Sequence, residues 1–205
     1  MCLIVVVSPL IALMHDQVAN VKAYNHPTLS AAFLGGDEAN TLASKKEVFD
    51  GKHNIVFITP ERSRSIQTWP PMVRNRISLL VVDEAHCVVG DTYREHNRTA
   101  LPSLSKNMMH VPLLSLTATM SPAVEAIYIK MMGRPDVEIS RGDLDRPDIL
   151  LDLRSKHTFP SDMARIQTLV NSAVQTPYDV NGRTERGACI VYVPGAMRPG
   201  RCMPN

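Results

Sequence analysis

Apolar residues arrive along this chain in short unbroken runs, separated by stretches in which they recur every three or four positions. CLIVVV (2–7), NIVFIT (54–59), LLVVD (79–83) and PLLSLT (112–117) are apolar on successive positions. That is how a strand covered on both faces reads. A further run, DVEIS (136–140), alternates in polarity and is expected to be a fifth strand. After the first run, Ser8-Pro9 reads as a helix start, a capping hydroxyl followed by a proline in the first turn. Leu10, Met14, Val18 and Val21 follow as one buried stripe. Asp37 can cap a second helix that ends near Gly51, and Pro60, Pro70 and Pro71 bracket a short irregular stretch. Ser121-Pro122 repeats the helix start, with Val124, Ile127, Tyr128 and Met131 on one face and Gly133 at the stop.

The pattern changes after residue 140. Residues 141–160 read as a connector. Ser161 opens a helix with Met163, Ile166, Leu169, Val170, Ala173 and Val174 apolar, and Pro177 stops it. TPYDVNGRTERG (176–187) reads as a polar loop, ACIVYV (188–193) as a last strand, and PGAMRPGRCMPN as a Pro/Gly-rich tail. No internal repeat is present.

Strands alternating with helices imply an α/β fold, a parallel sheet with helices on both faces. Such sheets bind ligands outside the carboxyl ends of their strands. The residues able to do chemistry fall at those ends: Ser8 after the first run, Thr59 after the second, Asp83 and Glu84 after the third, Thr117 and Thr119 after the fourth.

Composition narrows the classes. With 44% hydrophobic and 20% charged residues over 205 positions, the chain is globular rather than disordered. A net charge of +2 is too balanced to argue a nucleic-acid partner by itself, and 5% aromatics suggest no broad stacking surface. The four cysteines, at 2, 87, 189 and 202, form no C-x-x-C pair. They argue against a zinc site and a disulfide framework and fit a reducing compartment. No run approaches the roughly 20 apolar residues of a spanning helix. Ser8-Pro9 breaks the opening run, which also lacks the basic start of a signal peptide.

LLVVDEAHC (79–87) concentrates the chemistry. A carboxylate at the tip of a buried strand can hold Mg²⁺, which takes oxygen ligands and keeps several waters. A second carboxylate beside it can orient or deprotonate the water that attacks a γ-phosphate. Asp83 suits the first role and Glu84 the second, while His86 is placed to sense the phosphate.

These residues carry a family resemblance. VVSPLIALMHDQV (6–18), ITPER (58–62), VVDEAHC (81–87), LSLTAT (114–119) and LDRPDI (144–149) resemble, in order, motifs of the RecQ-family DNA helicases. The chain is similar to that family's first RecA-like motor domain over about nine-tenths of its length, and ACIVYV resembles the first strand of the second motor domain. The resemblance implies ATP and Mg²⁺ as cofactors, with Asp83 on the metal through water, and DNA as partner. It implies single-strand contacts from Ser8, Thr59 and Arg62, mostly to phosphate, and coupling of the nucleotide to DNA through Thr117 and Thr119. The expected organisation is residues 1–142 as a partial first RecA-like domain, 143–187 as connector and helix, and 188–205 as the start of a second domain with a tail. The expected compartment is the nucleus in a eukaryote and the cytoplasm otherwise.

The chain also departs from the family. It contains no G-x-x-x-x-G-K-[ST]; FLGGD (33–37) is the nearest glycine pair. The phosphate loop supplies backbone N–H groups, a lysine and a metal-ligating hydroxyl, so Asp83 is left with half a metal site. The expected fold is therefore a P-loop NTPase sheet without its P-loop strand, with an exposed apolar edge, and the expected arginine finger of a second domain is absent too. The family's aromatic-rich loop after the DEAHC box reads VVGDTYREHNR (88–98) here. By the resemblance Tyr93 and Arg94 stand for its Phe and Arg and are expected to contact DNA with Ser8, Thr59 and Arg62, and its Trp is missing. The leading expectation is a fragment of an ATP-dependent 3′-to-5′ DNA helicase with no measurable ATPase by itself and no tightly bound cofactor. Two alternatives stand beside it: a non-catalytic remnant that binds single-stranded DNA or a partner, and a fragment of a DEAD/DEAH-type RNA helicase, against which LDRPDI speaks.

Overall fold

A computed structural model of the chain describes residues 2–35, 38–90, 95–142, 159–175, 177–180 and 183–186. It divides into two compact units, Met1–Leu144 and Asp145–Asn205.

The first unit is built on five parallel strands, β1 (Leu3–Val7), β2 (Ala31–Leu34), β3 (Ile55–Ile58), β4 (Ile77–Val82) and β5 (Leu113–Ser115), in the spatial order β2-β3-β1-β4-β5. The chain leaves β1 for one side of the sheet and later crosses β1 to build the other. The order therefore reverses at β1, and its carboxyl end borders the crevice where such sheets bind ligands. Successive residues of β1 point to opposite faces. Leu3, Val5 and Val7 enter the main core with Leu80, Val82, Trp69, Val73, Leu101 and Leu104, all buried. On the other face Met14, Ala31 and Phe57 form a smaller core with Val6, Val18 and Phe33. Helix α1 (Ile11–Ala23) covers that second face. Val48, from α2 (Glu38–Phe49), joins the main core.

Short elements follow β3. These are α3 (Pro60–Ser63), a 3₁₀ turn (Arg64–Thr68) and α4 (Pro71–Arg74), each short because proline punctuates the segment. Then come α5 (Cys87–Gly90), α6 (Glu95–Asn107) and α7 (Pro122–Met132). The start and stop of α7 are as expected. Ser121 Oγ accepts from Val124 N, Pro122 occupies the first turn, and Gly133 closes the helix at φ +68°. Arg134 then closes α6, its guanidinium donating to the carbonyls of Ser105, Met108 and Val111 at 3.2, 2.8 and 2.8 Å.

Several expectations are corrected. Ser8 caps no helix: α1 starts at Ile11 with Leu10 in the cap position, and the Ser8 hydroxyl is engaged elsewhere. Leu10 and Ile127 are about half exposed, so α1 buries Met14 rather than a four-residue stripe and α7 buries Tyr128 and Met132. The strand AAFL (31–34) was not anticipated, because two alanines in a four-residue run give little β signal. DVEIS forms no strand. Val137 and Ile139 are 44% and 47% exposed, and the segment runs unpaired along a groove of about 290 Å³ beside β5 and α7. Alternation alone does not supply the neighbour that a strand needs. The run 112–117 yields only Leu113–Ser115 as strand. Leu116 O turns instead to accept from Ala85 N at 2.9 Å. β5 ends the sheet with Leu114 and Leu116 exposed.

The second unit holds α8 (Phe159–Gln175) and an antiparallel pair, β6 (Pro177–Val180) and β7 (Arg183–Arg186). The stretch expected as a loop is thus a hairpin, with Val180 opposite Arg183. The Asn181-Gly182 pair between the strands is the composition that favours a two-residue hairpin connection. The expected strand 188–193 lies outside the described residues. Among them, no helix is long and apolar enough to cross a membrane.

Candidate functional site

Four neighbouring strand tips deliver Thr59 (β3), Ser8 (β1), Asp83 and Glu84 (β4) and Thr117 (β5) to one rim of the sheet. Main-chain bonds fix the two central positions. Ser8 N donates to Ile58 O at 3.2 Å and Asp83 N to Val7 O at 2.9 Å, each prolonging the parallel ladder past the last strand residue. Ser8 is fully buried. Its Oγ donates to Asp83 Oδ2 at 3.1 Å, and Glu84 N donates to Oδ1 at 3.0 Å. Each oxygen of Asp83 therefore accepts one charge-assisted bond and retains lone-pair capacity for a further donor or a hydrated cation.

The chain then turns sharply. Glu84 sits at φ +50°, in the left-handed region where a side chain with a Cβ costs about 1–2 kcal/mol. Such outliers persist where the surroundings over-determine them. Here Ala85, fully buried, donates its N–H to Leu116 O, and Cys87 N donates to Glu84 O, both at 2.9 Å. The turn is thereby pinned to the end of β5. His86 joins the two tips: its Nδ1 lies 2.9 Å from Thr117 Oγ1 and 3.3 Å from Glu84 Oε2. Cys87 Sγ lies 3.5 Å from His86 Nε2. Thr119 enters only through its amide, which donates to Thr117 Oγ1 at 3.2 Å. Behind this rim Tyr128 Oη and Ser115 Oγ are 2.6 Å apart. Burial pushes the Tyr128 phenol above its ordinary value, and the Ser115 bond offsets part of that.

The structure thus brings together Ser8, Asp83, Glu84, His86, Thr117 and Thr119. Thr59 lies at the adjacent tip but outside the hydrogen-bonded chain. Its carbonyl receives Ser63 N at 3.1 Å, and its hydroxyl makes no cap bond. Arg62, exposed on α3, has its charge in solvent beside that tip. Tyr93 and Arg94 lie outside the described residues. The Cys87–His86 contact is a participant that sequence reasoning did not assign. The adjacency of the two residues in EAHC was the available clue.

This donor set fits one half of a nucleotide site. Asp83 is a single carboxylate flanked by a hydroxyl, which suits a cation that keeps most of its waters. It is no protein cage, and no group of three or more metal-ligating residues occurs among the described residues. Glu84 and His86 stand beside Asp83, joined to each other and to Thr117. For the phosphates there is no matching cradle, since no Gly-rich lysine loop occurs in the 205 residues. No hydrolytic step through ATP follows from these side chains alone.

Comparison with known proteins gives the context. Residues 2–127 match the family described as DEAD/DEAH box helicase. The chain is 32% identical over 196 residues to ATP-dependent DNA helicase Q5 of Rattus norvegicus, which covers 92% of this chain and 20% of that protein. It is 32% identical over 156 residues to the bifunctional 3′-5′ exonuclease/ATP-dependent helicase WRN of Mus musculus, covering 74% of this chain and 11% of that one. The chain therefore spans a fifth or less of the length of these two relatives. In structure it resembles Mss116p bound to single-stranded RNA and AMP-PNP, with a TM-score of 0.52 at 20% identity over 64% of this chain and 28% of that one. That likeness is one of fold, a RecA-like parallel sheet.

Proposed function

Because this chain belongs to the DEAD/DEAH box helicase family, we propose that it is part of a RecQ-type ATP-dependent DNA helicase. Residues 1–142 form the portion of the first motor domain that faces the metal and the DNA strand, and residues from 188 begin the second. One observation carries the reading: the hydrogen-bonded chain Ser8–Asp83–Glu84–His86–Thr117 across three adjacent strand tips. In a protein that also supplies a phosphate loop, Asp83 would hold a hydrated Mg²⁺, Glu84 would orient the attacking water, and His86 would pass the state of the nucleotide to Thr117 and Thr119. Thr59 and Arg62 contact the phosphates of a single DNA strand, contacts that position a strand without reading its sequence, whereas Ser8, expected among them, is buried and gives its hydroxyl to Asp83 instead. LDRPDI and the cysteine of VVDEAHC support the DNA-directed branch over RNA helicases. The 205 residues by themselves do not turn over ATP, because they bring no phosphate loop to the rim.

Binding of fluorescein-labelled oligo-dT and oligo-U, followed by anisotropy across a salt series, tests this. Arg62→Ala is expected to weaken oligo-dT binding and to flatten the dependence of log K on log salt by about 0.7, the value for one lost phosphate contact on a single strand. Preference for oligo-U, or an unchanged slope, contradicts the DNA-directed reading. DNA-stimulated phosphate release that disappears in Glu84→Gln contradicts the statement that the 205 residues are inactive.

A further inference from the structure

β5 closes one end of the sheet, and its outer edge borders a groove of about 290 Å³. Pro112 O accepts from Leu80 N at 3.0 Å and Leu116 N donates to Val82 O at 2.9 Å, so the even-numbered residues of this stretch turn their main-chain groups to β4. In a parallel ladder the intervening residues turn theirs the opposite way. The N–H and C=O groups of Leu113 and Ser115 therefore point to the outer edge, where no strand pairs with β5 among the described residues.

Residues 136–140 form the other wall of the groove. The chain reaches them from β5 through α7, the kind of connection that returns a second strand parallel to the first. Arg141 fastens the end of the segment to α7, donating from Nη2 to Glu125 Oε1 and Oε2 at 2.9 and 2.8 Å. The segment is held in place, yet its single main-chain bond among the described residues is the local one from Val137 N to Pro135 O. Leu116 on one wall and Val137 and Ile139 on the other are exposed into the groove. Apolar side chains alone would accept many partners. An edge row of main-chain donors and acceptors accepts an extended backbone. An occupant between two such walls must have both of its own edges free. Each described strand of this chain has at least one edge bonded to a neighbour, which argues against a second folded copy.

We propose that the groove is an open strand position, taken by one extended apolar segment that lies parallel to β5 and pairs on its far side with residues 136–140. At roughly 3.3 Å per residue, about five residues cover the edge from Leu113 to Thr117. The source of the segment, on the reading of this chain as part of a longer helicase, is polypeptide beyond the 205 residues, which span a fifth or less of the two relatives above. With the position filled, DVEIS becomes the strand that its alternation predicts.

The probe is a synthetic peptide carrying Leu3–Val7, the sequence of β1, between pairs of lysines, titrated into the ¹⁵N-labelled 205-residue chain. Amide hydrogen exchange is followed by NMR. The peptide is expected to slow exchange tenfold or more at Leu113, Ser115 and alternate amides of residues 136–140, and to leave Leu114 and Leu116, already bonded to β4, unchanged. A nitroxide on the carboxyl end of the peptide should broaden Thr117 more than Leu113, and one on the amino end should do the reverse. Leu116→Asp and Val137→Asp, both at exposed positions, should each weaken the peptide affinity tenfold or more. Four results overturn the proposal: no saturable binding, protection confined to β2 at the other edge of the sheet, affinities unchanged in both variants, or Leu113 and Ser115 already protected without peptide. In the last case, protection that rises with protein concentration assigns the edge to a second copy, and protection that does not assigns it to the chain itself. The oligo-dT titration reads the strand-tip rim instead, so either reading can fail while the other stands.

Discussion

The backbone at Glu84 yields a test in which two variants of one position must fall in an unusual order. Glu84 lies at φ +50°. Replacing it by alanine or by glycine removes the same carboxylate and the same contact with His86, 3.3 Å away with both side chains about a third exposed. Whatever that lost contact contributes cancels when the two variants are compared with each other. What remains is the backbone. In an ordinary helix or strand position glycine is less stable than alanine by roughly 0.5–1 kcal/mol, because it loses more freedom on folding. At a left-handed position the Cβ of alanine costs about 1–2 kcal/mol that glycine does not incur. The two terms oppose, and at mid-range values, about 1.5 against about 0.75 kcal/mol, the steric one is larger, so Glu84→Gly should be the more stable variant by about 0.75 kcal/mol. With a urea slope of about 2 kcal/mol per molar, its midpoint should lie roughly 0.4 M above that of Glu84→Ala. The assay is equilibrium urea unfolding followed by far-UV circular dichroism, with equal slopes as the check that both variants unfold alike. An alanine variant as stable as the glycine variant, or more so, refutes the claim that the turn after β4 holds a carboxylate at a sterically disfavoured angle.

Two further outcomes follow from individual contacts. Ser8→Ala removes a fully buried hydroxyl that donates to Asp83 at 3.1 Å. It should cost about 1.5–3 kcal/mol, and in a double-mutant cycle with Asp83→Asn the two losses should not add. Additive losses would mean that the two side chains stabilise the fold independently. At the other end of the sheet, the His53 hydrogen bond, and secondarily the Lys52 charge, hold Glu47 below the usual carboxylate range. A carboxyl depressed in the folded state stabilises above its unfolded pKa, and that contribution is lost as pH falls through the depressed folded value. In a carboxyl-carbon NMR titration, His53→Gln should move the Glu47 midpoint upward, and an unmoved midpoint would rule His53 out as the cause.

Part of this structure is readable from the residues because the physics involved is local. Ser121, Pro122 and Gly133 mark the ends of α7 through capping, a fixed φ and tolerance of positive φ, and each acts where it stands. The runs at 2–7, 54–59 and 79–83 announce buried parallel strands by their unbroken apolarity, and with them the strand tips that carry Ser8, Thr59 and Asp83. What fails is non-local. DVEIS has the right alternation and no partner among the described residues, while AAFL has a weak pattern and pairs with β3 all the same. Ser8 looks like a helix cap from its neighbours and is claimed instead by a carboxylate 75 positions away. The φ of Glu84 leaves no trace in residue type. It is imposed by Leu116 O holding the next amide. The pairing of β6 with β7 has a composition signal in Asn181-Gly182, but the polar flanks make the segment read as a loop.

The most direct test of the central claim is an amide map of where a single DNA strand settles. Titrating unlabelled oligo-dT into the ¹⁵N-labelled chain should perturb Ser8, Thr59, Arg62, Thr117 and Thr119 along one rim, and leave Gln67, Asn75 and His110 at the far end unmoved. Perturbations centred on that far end, with the tips of β1, β3 and β5 silent, would contradict the assignment of the strand-tip rim as the nucleic-acid face of this helicase domain.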